Sequence, residues 1–251
     1  MEHIHRAEGS LHSWYPEHEP PPKVRLPSRL AGADISISHL LLVGFFCHTD
    51  RVLDAWVVGI LEKARASFES NKAIAKSTDS VQGPMLLDRE RLPALSVIAL
   101  RPAFSRQKTR ILIWGSDDKR NRNLAFEFAR WSMEPDPGKW LRKNPMLAVE
   151  VGENFDSAAE KNTNSFTRAV RDKVQQDEEA VSTELIAHLL KRQRVLVIVP
   201  GYSELNESTR SSIQPGNPDF SSNALVVTSR VEEALGGASE TVIQFREEIQ
   251  L

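Results

Sequence analysis

Two stretches of the chain hold residue types that handle phosphate and metal elsewhere. The first is "GSDDKRNRNLA", which begins at Gly115 just after a short apolar run and leads into an amphipathic segment. A phosphate-cradling loop occupies that context with the pattern Gly, four residues, then Gly-Lys-Ser/Thr. Gly115 supplies the first glycine, but Arg120, Asn121 and Arg122 stand where the second glycine, the lysine and the hydroxyl belong. Arg120 lacks the backbone freedom of glycine. Asn121 is too short and uncharged to reach β and γ phosphates, and Arg122 offers no hydroxyl to Mg²⁺. Asp117 and Asp118 add negative charge where phosphate would lie, whereas Lys119, Arg120 and Arg122 are cations beside a helix start, a setting that attracts anions.

The second stretch is "RVLVIVPGYSELNESTR". Its apolar run Val195–Val199 reads as a buried parallel strand. A carboxylate directly after such a strand holds Mg²⁺ in many nucleotide-hydrolysing sites. Pro200 stands there instead and has neither a ligand atom nor a backbone N–H. Glu204 is the one acid placed to orient a water. Without a gripped phosphate it has nothing to act upon, and as a surface glutamate it would be unremarked. Further on, "NALVVTSR" ends in Arg230, an arginine positioned to meet a γ-phosphate or to serve structure alone.

The elements that must position these residues can be read from apolar spacing. "DRVLDAWVVGILEKARASFE" places Leu53, Trp56, Val57, Ile60, Leu61, Ala64 and Phe68 on one helical face. "RILIW", "MLAVEV", "RVLVIV", "NALVVTSR" and "ETVIQF" read as five strands, with "RNLAFEFARWSM", "NSFTRAVRDKVQ" and "STELIAHLLKR" as helices between them. The expected fold is α/β: a parallel five-stranded sheet flanked by helices and preceded by a helical segment. The chain divides into a Pro-rich leader over 1–34, a helical segment over 35–104 and the α/β domain over 105–251. Ser70 to Gly83 reads as a polar loop.

Composition narrows the function classes. The chain has 251 residues and a formal net charge of −2, so no global field recruits nucleic acid or a membrane surface, although a local patch is compatible with it. Cys47 is the sole cysteine, which leaves no disulfide and no cysteine cluster for zinc. Its neighbours, Leu40 to Cys47, form an apolar run too short to span a bilayer. The leader histidines fit no ligand geometry, no metal site is expected, and the expected location is cytoplasmic. An unrelated enzyme built on Ser203 or Cys47 finds no His and Asp partner in the sequence.

Taken in order, "RILIWG…LAFEFARWSM", "RVLVIVPGYSELNESTRSSIQPGNPDF" and "NALVVTSR" resemble the nucleotide-binding domain of NACHT-type STAND P-loop NTPases, the signalling ATPases of bacterial NLR-like proteins. The resemblance covers roughly residues 48 to 245. It implies a P-loop at Gly115–Arg122, a Walker B aspartate at the place of Pro200, a downstream acid at Glu204 and a sensor arginine at Arg230. It also implies lid and sensor regions beyond the fifth strand, which the chain lacks, so that nucleotide-driven opening has no moving part. The expected function is a degenerate NACHT-like pseudo-NTPase, a non-hydrolysing scaffold or interaction module in signalling whose partner is a protein such as an intact NACHT relative. The alternative is a domain that binds ATP or ADP without Mg²⁺, gripping phosphate through Arg120, Arg122 and Arg230, with weak or no hydrolysis.

Overall fold

The computed structural model describes residues 49–70, 83–152, 165–175, 181–217, 220–232, 234–236 and 241–245. The leader, Cys47 and most of the Ser70–Gly83 link lie outside the described residues. In chain order the elements are α1 (Asp50–Ser70), β1 (Met85–Leu87), β2 (Glu90–Leu92), α2 (Val97–Phe104), β3 (Thr109–Trp114), α3 (Asp118–Ser132), β4 (Leu147–Glu150), α4 (Ser165–Gln175), α5 (Thr183–Lys191), β5 (Val195–Val199), α6 (Glu207–Ile213), β6 (Ala224–Ser229) and β7 (Thr241–Phe245).

The sheet has seven strands in the order β2-β1-β7-β3-β6-β5-β4. This corrects the expectation of a five-stranded parallel sheet. The run from β7 through β3, β6 and β5 to β4 is parallel, but β1 pairs antiparallel with both β7 and β2, so the sheet is mixed. The two extra strands are three residues each, too short to show alternation. Their two-residue turn, Asp88-Arg89, has positive φ at both positions (49° and 76°). That geometry belongs to a hairpin turn whose usual signature is Asn-Gly or Asp-Gly. An arginine in the second place conceals it. Asp88 also fastens the turn to β7: its N–H donates to the Val242 carbonyl at 2.9 Å, and its carboxylate accepts from the Val242 N–H at 2.7 Å.

The central strands are buried on both faces, which is why they read as unbroken apolar runs. In β5, Val195, Val197 and Val199 face one core while Leu196 and Ile198 face the other, all fully buried. Each such side chain contributes about 1.5–3 kcal/mol through burial. Helices α2 and α3 cover one face, through Leu100, Phe104, Leu124 and Phe128. Helices α4, α5 and α6 cover the other, through Phe166, Val170, Ile186 and Ile213. Helix α5 starts where its sequence predicts, with the Ser182 hydroxyl accepting the Leu185 N–H at 3.1 Å.

Helix α1 packs along edge strand β4 and protects it. Its Leu53, Val57 and Ile60 join one core and Phe68 the other, while Leu61 and Ala64 touch both. An ion pair secures its first turns: Arg194, only 5% exposed, donates through Nε to Asp54, whose two oxygens also accept from Asn144 Nδ2 at 3.2 and 3.1 Å.

Candidate functional site at the carboxyl ends of the strands

Strand β3 leads into α3 on one face of the sheet, whereas the segments after β4, β5 and β6 contribute to the core on the other. Since β3 and β6 are neighbours, the crevice between their carboxyl ends is where a sheet of this kind takes a ligand. The residues singled out by motif surround that place.

The turn from β3 to α3 has three residues, Gly115, Ser116 and Asp117. Asp117 is the helix N-cap: its side chain accepts the Arg120 N–H at 3.0 Å, and its carbonyl accepts the Asn121 N–H at 3.0 Å. Asp118 therefore already begins the helix. Arg120 and Asn121 are helical residues too, whereas the sequence places the start of this helix at Arg122. A phosphate-cradling loop needs free N–H groups converging on the ligand. Here the N-cap carboxylate takes one of them and the helix ladder another.

Each side chain then goes its own way. Asn121, at the lysine position, is 1% exposed and folds back so that its Nδ2 donates to the Gly115 carbonyl at 2.9 Å. Arg120 turns away from the crevice and lies over the Phe245 ring, 4.1 Å from its centroid. Lys119 is exposed on the first turn of α3. Arg122 is half-buried and reaches toward Gly201: its Nη2 lies 3.5 Å from the point a Cβ there would occupy, and Glu204 Oε2 lies 3.1 Å from the same point.

Pro200 is buried one residue beyond the last residue of β5, so it removes no ladder hydrogen bond. Its ring packs against the backbone of Gly152, with Cγ 3.1 Å from where a Cβ would stand. Gly201 follows in the left-handed conformation (φ 65°), and its N–H donates to the Thr228 hydroxyl at 2.9 Å. A position that would carry a metal ligand is thus a turn held by apolar packing and one side-chain hydrogen bond.

Arg230 is exposed at the end of β6, yet engaged. It donates through Nε to the Asp118 carboxylate, and its Nη2 stands 3.5 Å from Glu204 Oε1. The hydrogen bond with Asp118, and then that residue's charge, hold the Arg230 guanidinium above its ordinary value, with Glu204 adding to the effect. The triad ties together the ends of β3, β5 and β6.

Gly115, Asn121, Arg122, Pro200, Glu204 and Arg230 therefore gather at one end of the sheet, while Arg120 departs and Lys119 faces outward. Motif reading identified Asp118 only as an unwelcome charge and missed that it binds Arg230 across 112 residues. It also passed over Thr228, Gly201 and Gly152, whose roles depend on neighbours that spacing does not reveal. Neither a protein-family model nor a curated protein sequence matches the chain. Among the described residues no group of His, Cys, Asp and Glu is arranged to hold a metal, and no helix is long and apolar enough to cross a membrane.

Proposed function

We propose that the chain is a NACHT-like pseudo-NTPase domain, a non-hydrolysing scaffold that signals in the cytoplasm by holding a protein partner such as an intact NACHT relative. One observation carries this reading. Arg230, the cation at the switch point, is engaged by Asp118 and Glu204, while the Asp117 carboxylate takes a free N–H of α3. In this reading carboxylates of the chain itself take groups that a phosphate would need. With Asn121 at the lysine position and Pro200 at the metal-ligand position, neither phosphate nor Mg²⁺ has its usual grip. The test is a steady-state hydrolysis assay with Mg²⁺ and ATP. No turnover is expected, and Mg²⁺-dependent turnover abolished by Glu204→Ala would overturn the reading.

A second reading, ATP or ADP held without hydrolysis, draws on Arg122. Its guanidinium is half-buried beside Gly201 and makes no hydrogen bond or ion pair among the described residues. A ligand bound only by the native state raises the melting temperature by mass action. A saturable, Mg²⁺-independent shift, lost in Arg122→Ala, would select this reading over the empty scaffold.

A further inference from the structure

The opposite end of the parallel sheet has a different electrostatic character. The segments that lead into β3, β5 and β4 carry Arg106 and Lys108, Lys191 and Arg192, and Arg142 and Lys143. All but the half-buried Arg142 are exposed. Gln193 binds these segments together. It is 3% exposed, and its Nε2 donates to the carbonyls of Arg106 (3.1 Å) and Asn223 (2.8 Å). Asn223 in turn donates to the Lys191 carbonyl at 2.7 Å. The segments before β3, β5 and β6 are therefore tied together, at one end of the row β3-β6-β5-β4, which spans roughly 15 Å at about 4.8 Å per strand.

Among the described residues some of these cations are paired and others are not. Asp54 is taken by Arg194 and Asn144, and Asp50 pairs at 3.8 Å with both Arg192 and Arg194. In the turn before β4, Asp136 caps Gly138 and Glu134 faces Arg65 at 3.9 Å. Lys108, Lys143 and Lys191 have no ion-pair partner among the described residues. Arg142 Nη1 and, in β3, Arg110 Nε are buried without an acceptor. Burial first, and then the neighbouring Arg194, lower the Arg142 guanidinium from its ordinary value against the pull of Asp50 and Asp54.

We propose that this amino end of the parallel sheet is a docking surface for the phosphate backbone of duplex nucleic acid, read without sequence preference. Net charge alone points away from nucleic acid, but the relevant field is local. A protein partner would call for apolar anchors within the patch. Among the described residues the exposed large apolar ones are Val58, Ile98 and Val231, none of which lies in these segments. No exposed aromatic ring is present there on which a single strand would stack. What the surface offers is exposed cations from three segments, and a row of this length reaches across a groove about 12 Å wide.

The test is fluorescence anisotropy of the full chain with a labelled, mixed-sequence DNA duplex of about 20 base pairs. Saturable binding is expected in about 50 mM salt, weakening roughly a hundredfold by 200 mM, as counterion release at about four phosphate contacts requires. Lys108→Glu, Lys143→Glu and Lys191→Glu together should weaken binding at least about tenfold and flatten the salt slope. Lys119→Glu with Arg122→Glu, at the other end of the sheet, should leave it intact. Far-UV circular dichroism would establish that the triple variant folds. Absence of binding in 50 mM salt, or equal loss in the Lys119 and Arg122 variant, would overturn the proposal. So would competition by polyglutamate as effective as by unlabelled duplex, or tighter binding to phosphatidylserine vesicles. None of these outcomes bears on hydrolysis at the carboxyl end, so the two readings fail separately.

Discussion

The two ends of the parallel sheet hold similar residue types and use them in opposite ways. At the carboxyl ends of β3, β5 and β6, cations meet carboxylates: Arg230 is shared by Asp118 and Glu204, and Asp117 caps α3. At the amino ends, Lys108, Lys143 and Lys191 have no ion-pair partner among the described residues, and two arginines bury donors without an acceptor there. At the motif-like end Arg230 is held by the chain's own carboxylates while Arg122 is not, and at the other end three lysines have no ion-pair partner among the described residues. A net charge of −2 hides the contrast, because it sums both regions. Ligand capacity depends on which charges are satisfied locally more than on which residues are present.

The largest expected effect tests whether the amino end is a rigid platform. Arg194→Ala removes the nearly buried partner of Asp54 and loosens α1 from edge strand β4. Breaking a fully buried pair costs about 3–5 kcal/mol, and since Asp54 is about one-third exposed, about 2–3 kcal/mol is expected from urea unfolding. A loss below about 0.5 kcal/mol would mean that α1 is held by its apolar face alone.

Next is Gly201→Ala, which probes how tightly the carboxyl end is closed. A Cβ there meets Glu204 Oε2 at 3.1 Å in a left-handed backbone. The cost should be about 1–2 kcal/mol by the same measurement. A neutral result would show that the Pro200–Gly201 turn relaxes freely.

Restoring the motif should change less than its chemistry suggests. Arg120→Gly, Asn121→Lys, Arg122→Thr and Pro200→Asp together rebuild the missing side chains. Helix α3 would still begin at Asp118 under its Asp117 cap, and Arg230 would still be engaged. No Mg²⁺-dependent hydrolysis is expected in a phosphate-release assay. Turnover in this variant would mean that side-chain loss alone had silenced the site.

The smallest effect is that of Arg230→Ala. The guanidinium is exposed, and screened surface pairs add little to stability, so the urea midpoint should stay where it is. If this variant gained an ADP-dependent thermal shift, the carboxylates would prove passive and the closed-end reading would fail.

How much was legible varied with the range of the interaction. The strands β3 to β7 and the faces of α1, α3 and α5 follow from local periodicity, because burial repeats with the backbone. Hairpin β1–β2 was not legible, since three-residue strands around Asp88-Arg89 carry neither alternation nor a glycine turn. The start of α3 was misjudged because polar, charged residues from Asp118 to Asn123 show no apolar stripe, although the Asp117 cap and the acidic first turn were available as signals. At the candidate site, sequence showed which groups were missing at Arg120, Asn121, Arg122 and Pro200. It did not show what had replaced their function: the Asn121 contact with Gly115, the Pro200 ring on Gly152, and the Asp118–Arg230 pair.

By itself, then, the sequence determined the five apolar strands β3 to β7, the apolar faces of the helices that cover them, and that Asn121, Arg122 and Pro200 stand where a phosphate- and Mg²⁺-gripping motif carries lysine, hydroxyl and aspartate, because side-chain chemistry and apolar period are local properties. Only the tertiary structure decided that the sheet is seven-stranded and mixed, that Arg230 meets Asp118 and Glu204 at one of its ends, and that cations from three separate segments lie at the other. Strand order brings together residues far apart in the chain, and no spacing along the chain encodes that order.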